Sequence, residues 1–381
     1  MNLKTKLFCG LGLGLGILGY SQDIKPVLTG APFLRISPDA RAGGMGDQGV
    51  ATTPDGFSQF WNAAKYPFAL NSSSVSVSYT PWMGKLVNDT FLLYGSYATF
   101  LGEEERSTLS ASIYYFNMGE VNLTSLRADG GIIDEGIVKP NEFSIDLAYA
   151  LRLADSFSMG VTGRYIRSDF GNFNSNSTLK AASTFALDIS GYYQSLKHAS
   201  FGEYDGRLRG GFAIQNIGPK LDYTGDEQSR SYLPTTARLG LGYDLFLDEQ
   251  NRLSLTGEAS KLLVAGAELV NDGTNSYYDV PNVGVVEGMG KSFKNPKSFM
   301  YSGSVEYSYD EAFALRGGYF HESAEQGGRN FATVGIGLKY QSFGLDISYL
   351  INTSKINTAL DNTLRFGLTW NIGGETRNMD R

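Results

Sequence analysis

From Ser74 onward, hydrophobic and polar positions alternate with a period of two. That is the pattern of a strand whose two faces meet different surroundings. In Phe143–Leu153 one face carries Phe143, Ile145, Leu147, Tyr149, Leu151 and Leu153; the other carries Ser144, Asp146, Ala148, Ala150 and Arg152. In Ser298–Tyr309, Phe299, Tyr301, Val305, Tyr307 and Tyr309 oppose Ser298, Ser302, Ser304, Glu306 and Ser308. In Thr363–Ile372, Leu364, Phe366, Leu368, Trp370 and Ile372 oppose Thr363, Arg365, Thr369 and Asn371. Fourteen such segments are expected, at 74–83, 88–101, 107–118, 141–154, 156–169, 182–196, 207–217, 233–247, 251–263, 298–309, 311–321, 330–341, 343–352 and 362–372.

The connections between segments are unequal. After even-numbered segments most are short: Asp155, Asp248–Gln250, Asp310 and Ser342, with 197–206 the main exception. After odd-numbered segments several are long: 119–140, 170–181, 218–232, 264–297, 322–329 and 353–361. An even strand count, short turns at one end and long loops at the other describe an outer-membrane barrel. Asp146, Arg152, Arg164, Asp188, Arg209, Arg238, Asp244, Glu258, Glu306, Arg316, Lys339, Asp346 and Arg365 all fall on the polar face. A charge facing lipid at mid-bilayer costs about 2–4 kcal/mol, so these are expected to line a lumen. The expected fold is all-β: a 14-stranded antiparallel transmembrane β-barrel with an N-terminal hatch, or plug, in the lumen.

Leu34–Tyr66 breaks the pattern. It is Gly-rich, has neither a strand nor a long helical period, and carries Arg35, Asp39, Arg41, Asp47 and Asp55. A fourteen-strand lumen is too wide for wall side chains to fill. This stretch is the segment of suitable size outside the wall and the long loops. It is therefore read as the plug, with Arg35, Asp39, Arg41, Gly44, Gly46, Asp47 and Asn62 as the plug–lumen residues. Phe33, Phe57, Phe60 and Trp61 are the candidate apolar lining for a ligand. Loop 119–140 carries Ile132, Ile133, Ile137 and Val138, and loop 264–297 carries Tyr277, Tyr278, Val283, Val285 and Val286. Apolar residues on loops of this length mark candidate partner contacts, with folding back over the barrel mouth as the alternative.

Composition narrows the setting. Residues 1–21 read as a signal peptide: Lys4 and Lys6, an apolar run Leu7–Leu18, and Gly19-Tyr20-Ser21 before a cut at Gln22. The remaining organisation is a periplasmic lead and hatch over 22–72, a barrel over 73–373 and a polar periplasmic tail over 374–381, with both termini periplasmic. Cys9 is the single cysteine, so the mature chain offers no thiolate ligand or thiol nucleophile. Removing the signal takes two lysines, leaving 30 basic against 39 acidic side chains and a net charge of −9. That disfavours a nucleic-acid partner.

Candidate chemistry is sparse. Gly44-Met45-Gly46-Asp47-Gln48-Gly49 matches G-x-G-x-x-G, but Pro38 and Pro54 flank it and no βαβ pattern follows, so it is not read as a nucleotide site. His198 and His321 have no metal-ligand spacing, and no G-x-S-x-G elbow is present. No enzyme activity, cofactor or metal is expected.

The Leu34–Tyr66 stretch, with Ser78-Tyr79-Thr80-Pro81-Trp82 and Lys85-Leu86-Val87-Asn88-Asp89, closely resembles the PorV family (also called LptO) of the type IX secretion system of Bacteroidetes. Ser37–Gly46 is the most specific part. That family is itself similar to the FadL-type transporters, fourteen-stranded barrels with an N-terminal hatch. Their hatch usually closes on Asn-Pro-Ala; here Asn62-Ala63-Ala64 keeps the Asn and lacks the Pro that would fix φ. The resemblance implies a non-enzymatic outer-membrane shuttle or adaptor. Its implied partners are a SprA/Sov-like type IX translocon barrel, a PorU-like sortase complex, cargo C-terminal domains, and membrane lipid or lipopolysaccharide. Two other functions remain open at this point. One is a FadL-type channel for fatty acids or other hydrophobic small molecules. The other is an O-deacylase of lipid A, for which no nucleophile and base stand out.

Overall fold

The computed structural model describes residues 28–82, 89–127, 129–171, 180–201, 204–266, 268–271, 276–279, 281–294, 298–323, 327–354 and 362–375. The expected signal peptide and polar tail fall almost wholly outside them. Fourteen strands form the wall: β1 Asn71–Pro81, β2 Thr90–Leu101, β3 Ser107–Met118, β4 Asn141–Ala154, β5 Phe157–Asp169, β6 Ala182–Gln194, β7 Tyr204–Ile217, β8 Thr236–Phe246, β9 Asn251–Leu262, β10 Phe299–Tyr309, β11 Phe313–Glu322, β12 Asn330–Tyr340, β13 Phe343–Asn352 and β14 Leu364–Glu375. Each pairs antiparallel with the next, and β14 pairs back onto β1 with Trp370 opposite Val75, so the sheet closes. All fourteen segments expected from alternation are wall strands. Short connections are tight turns: in the three-residue connection between β10 and β11, Asp310 and Glu311 both adopt positive φ (53° and 51°), the left-handed backbone that tight hairpin loops use.

The alternation becomes two surfaces. Leu147, Leu239, Leu241, Leu255 and Leu368 point outward and are more than half exposed, which is where a hydrocarbon layer belongs. Toward the long-loop end, outward rings meet from strand to strand. Tyr79 and Phe91 lie 5.8 Å apart, Phe91 and Tyr115 6.3 Å, Phe143 and Tyr165 6.1 Å, and Tyr165 and Phe185 5.3 Å. This is an aromatic girdle over β1–β6. The inward face holds the charges, and they are paired across strands. Arg164 reaches Asp146 (2.9 Å) and Asp188 (3.1 Å), Arg209 reaches Asp244 (2.7 Å), and Arg238 reaches Glu258 (2.8 Å).

Two expectations need correction. First, residues 28–30, expected in a periplasmic lead beside the short turns, lie at the opposite mouth. Gly30 donates its N–H to the Tyr232 carbonyl in the long β7–β8 connection (2.9 Å). The plug therefore enters at the long-loop mouth and runs down to Asn71, where β1 starts beside Glu375. Second, loops 119–140 and 264–297, for which alternation gave no elements, carry elements of their own. Val121–Leu126 and Ile132–Val138 form a two-stranded hairpin, Glu268–Asn271 pairs with Ser276–Asp279, and Val285–Ser292 is a helix. Segments this short leave little periodicity to read.

Candidate functional site

The plug, residues 28–70, fills the lumen with four short helical pieces: Pro32–Arg35, Ala40–Gly43, Ser58–Trp61 and Ala63–Phe68. None is long enough to be stable alone. Each is held by polar contacts that begin and end on named side chains.

Asp39 caps the second piece: its Oδ1 accepts the Arg41 N–H (2.8 Å) while its Oδ2 accepts Trp61 Nε1–H (3.1 Å). Asp39 thus ties two parts of the plug together and does not reach the wall. Burial, with the negative Asp55 nearby, pushes its carboxyl up to about 7. Arg41 makes the largest set of contacts. It forks onto Glu306 of β10 through Nε (3.1 Å) and Nη2 (2.9 Å), and bonds Asp55 (2.7 Å) and the Thr53 carbonyl (3.1 Å) through Nη1. Glu306 is shared with Arg316 of β11 (2.6 Å), which continues to Asp346 of β13 (2.6 Å). One chain of alternating charge therefore runs from the plug across three wall strands. Asp47 takes a bidentate contact from Arg365 of β14 (2.7 and 3.1 Å). Arg35 meets Glu322 (3.3 Å), which also binds Arg329 (2.7 Å), at the long-loop end.

Asn62 accepts the Ala64 N–H through Oδ1 (3.0 Å) and donates Nδ2 to the carbonyls of Val50 (2.9 Å) and Gly191 (3.0 Å). Asn62 itself caps the last helical piece, in which Pro67 is an interior residue. Gly44 and Gly46 lie against wall glycines and backbone. A Cβ on Gly44 would meet Gly335 Cα at 2.9 Å, and one on Gly46, at φ 73°, would meet the Tyr319 carbonyl at 2.8 Å. Gly46 N–H also donates to Thr333 Oγ1 (2.9 Å).

Phe33, Phe57, Phe60 and Trp61 are buried and pack on one another and on wall tyrosines. Phe60 lies 5.0 Å from Trp61, edge to face, and about equally far from Tyr94 (6.1 Å) and Tyr114 (6.0 Å). Phe33 lies 5.3 Å from Tyr114. These rings fill space. The cavity of about 210 Å³ beside the plug opens elsewhere, toward the short turns, and is bordered by Arg41, Asp55, Arg252, Glu306, Arg316 and Asp346.

Several contacts that hold the plug escaped sequence reasoning. Lys65 is fully buried, with Nζ on the Gly49 carbonyl (3.0 Å) and Thr52 Oγ1 (2.9 Å). Burial lowers its pKa to about 8. Glu258 accepts the backbone N–H groups of Gly49 (2.9 Å) and Val50 (3.0 Å), and Arg238 lies over the Trp61 ring at 5.0 Å. Wall glycines Gly211, Gly240, Gly318, Gly335 and Gly367 face inward where the plug comes closest. A glycine on the inner face of an otherwise regular strand signals close backbone approach.

At the long-loop mouth the Val121–Val138 hairpin is exposed. Leu126 and Ile132, register partners, are 79% and 73% exposed, and Ile137 57%. Ile133 is less open, and Val138 packs beside Gly171. Tyr277 and Tyr278 lie on the second short hairpin. Val283 packs against the cluster of Tyr232, Leu262, Val264 and Ala265; Val285 opens the helix, and Val286 projects from it.

The model of the type IX secretion system protein PorV matches residues 20–268, well over half of the chain. The chain belongs to the PorV family. Among solved structures it is similar to the Pseudomonas putida toluene transporter TodX, at 9% identity over 92% of this chain and 99% of that one, with a TM-score of 0.51. A TodX deltaS2S3 mutant channel matches at 10% identity over 87% of this chain and 97% of that one, TM-score 0.50. The Ralstonia pickettii transporter TbuX shows 11% identity over 88% and 96%, TM-score 0.47. At such identities the likeness extends to the fold, a FadL-like barrel. No curated protein matches the chain. PorV membership and the closed barrel place the protein in the outer membrane as a type IX secretion component.

Proposed function

We propose that this PorV-family barrel is a non-enzymatic adaptor of type IX secretion. It binds the translocon barrel and the C-terminal signal domains of cargo at its long-loop mouth and hands cargo to the sortase complex. The reading takes the long-loop mouth as the cell-surface side. The observation that carries it is the combination of a filled lumen with an apolar, exposed hairpin at one mouth. An isolated two-stranded hairpin is marginal in water, and its exposed apolar pairs gain from a partner's cover.

A channel for hydrophobic molecules would need an apolar path beside the plug. Phe33, Phe57, Phe60 and Trp61 are instead packed against Tyr94 and Tyr114, and the cavity at the short-turn end interrupts its apolar lining of Leu70, Phe313 and Leu338 with Arg41, Asp55, Arg252, Glu306, Arg316 and Asp346. The plug contacts of Arg35, Arg41 and Asp47 serve to keep the barrel sealed while binding proceeds outside the lumen. Affinity purification from outer-membrane extract tests this. Co-recovery of a very large barrel and of secreted cargo is expected; recovery of the chain alone with a bound acyl chain would replace the adaptor with the channel.

A further inference from the structure

The outward rings of β1–β6 do not continue over β8 and β9. Across β7–β10 one register row runs Ile214, Ala237, Lys261, Phe299, and the next row runs Phe212, Leu239, Ala259, Tyr301. In the row nearest the long-loop mouth, β8 and β9 present Ala237 and Lys261 where a ring would stand. Lys261 occupies an outward position, the alternation that puts Leu255 and Ala259 outside. Its Nζ lies 4.6 Å from the Phe299 ring and 5.3 Å from the Phe293 ring, and it donates to Ser298. Phe293 belongs to the loop, and is the residue that ends the helix Val285–Ser292.

That helix is turned in an unusual way. Its buried residues are the small ones, Gly288 and Ser292, with Gly288 set against the Tyr232 ring. Val286, Met289 and Phe293 follow the spacing i, i+3, i+7 and share a side roughly a third of a turn from Gly288 and Ser292, with Met289, nearest to the buried face, half-buried. Val286 is 82% exposed and Phe293 60%. Glu287 and Lys291 pair along the flank (3.0 Å), and Lys294 is exposed beyond them. A helix that buries glycine and serine and shows valine and phenylalanine is the reverse of a water-facing surface helix.

We infer that the Val286–Met289–Phe293 stripe is seated in the outer leaflet at the boundary of headgroups and acyl chains, where it completes the girdle over β8 and β9. Continuity argues for lipid as the occupant. Phe293 and Phe299 bracket one lysine, and Phe299 stacks on Tyr301 (6.4 Å) within the outward face. Lys261 itself is buried, its ammonium held by Ser298 under the two rings, whereas Lys294, next to Phe293, is exposed and suits this depth: its stem lies in the apolar layer and its ammonium reaches the headgroups. The inference rests on the barrel's outer-membrane placement.

Site-directed nitroxide labelling tests it. With Cys9 lying in the signal, the mature chain carries no cysteine. Single cysteines at Val286, Met289, Phe293, Glu287 and Lys294 would be labelled in full-length barrel reconstituted in phosphatidylethanolamine–phosphatidylglycerol vesicles. Folding is checked by heat-modifiable migration. Collision with oxygen and with a water-soluble nickel chelate is then compared at each site. Oxygen is expected to dominate at 286, 289 and 293, and the chelate at 287 and 294. Chelate dominance at all five sites, or exclusion of both reagents from the stripe, overturns the assignment. A label at Leu241→Cys, on the mid-wall outer face, separates the two failures: if it too meets the chelate, membrane embedding itself fails.

Discussion

Arg41 and Glu306 meet as a two-point fork, Nε to Oε2 at 3.1 Å and Nη2 to Oε1 at 2.9 Å, although 265 residues separate them in the chain. One belongs to the plug and the other to the wall, and both are buried. Glu306 is the partner that Arg41 and Arg316 share; without it Arg41 keeps Asp55 and Arg316 keeps Asp346, so the plug loses its fork to β10 at a cost below the roughly 3–5 kcal/mol of a fully stranded buried charge. Glu306→Gln is therefore expected to raise ion conductance in planar bilayers and to lower the temperature at which the barrel loses its heat-modifiable form. Arg41→Gln with Glu306→Gln should cost less than the sum of the two single variants, because each single change already breaks the same fork. Damage in the double variant equal to the sum of the two single variants would show that the fork does not hold the plug.

Steric fit makes a separate prediction. A Cβ on Gly318 would run into the backbone of Met45 and Gly46, whereas one on the neighbouring Gly317 finds only Val305 at 3.9 Å. Gly318→Ala should displace the plug turn and increase conductance, and Gly317→Ala should leave it near the parent's. The same readout in both variants would mean that the plug does not press on this strand.

How much of this was readable beforehand depends on the kind of order involved. Strand alternation is enforced at every second residue by two different solvents, so Phe143–Leu153 shows its faces without any knowledge of its neighbours. Charges on the inner face had to be paired, and Arg164, Arg209 and Arg316 are. What alternation does not encode is the partner. Gly318 and Gly211 sit on the inner face like any small residue, and only the path of the plug makes them contacts. Lys65 looked like an ordinary charged residue because its partners are the Gly49 carbonyl and Thr52, which carry no opposite charge. The direction of the plug was also illegible. Nothing in residues 28–35 announces that they end beside Tyr232 at the long-loop mouth.

Chain direction yields its own test. Leu28 is 70% exposed and lies two residues from the Gly30–Tyr232 contact. A membrane-impermeant maleimide added to intact cells should label Leu28→Cys. It should label Glu249→Cys, in the short β8–β9 turn, only after the outer membrane is permeabilised. The opposite pattern would invert the assignment of the two mouths.

Asp39 gives a pH dependence with a definite sign. Its carboxyl is raised from 3.8 to about 7 in the folded chain. The folded state therefore holds a proton that the unfolded state releases above pH 4. From Asp39 alone, stability is highest below that pH, falls as pH rises toward 7, and levels off above it. The heat-modifiable form should survive to higher temperature at pH 5 than at pH 7.5, and Asp39→Asn should flatten that difference. An unchanged difference in the Asn variant would assign the pH effect to other groups.

The adaptor account stands or falls at the exposed hairpin. Leu126→Ser, Ile132→Ser and Ile137→Ser together remove its most exposed apolar side chains, the Leu126–Ile132 pair and Ile137 opposite Asn122, without touching the wall or the plug. Secretion of type IX cargo should be measured in cells carrying this triple variant, alongside barrel abundance and heat-modifiable migration. The account predicts cargo held back in the periplasm by a barrel of normal abundance and migration. Secretion at the parental rate, from the same folded barrel, would contradict it.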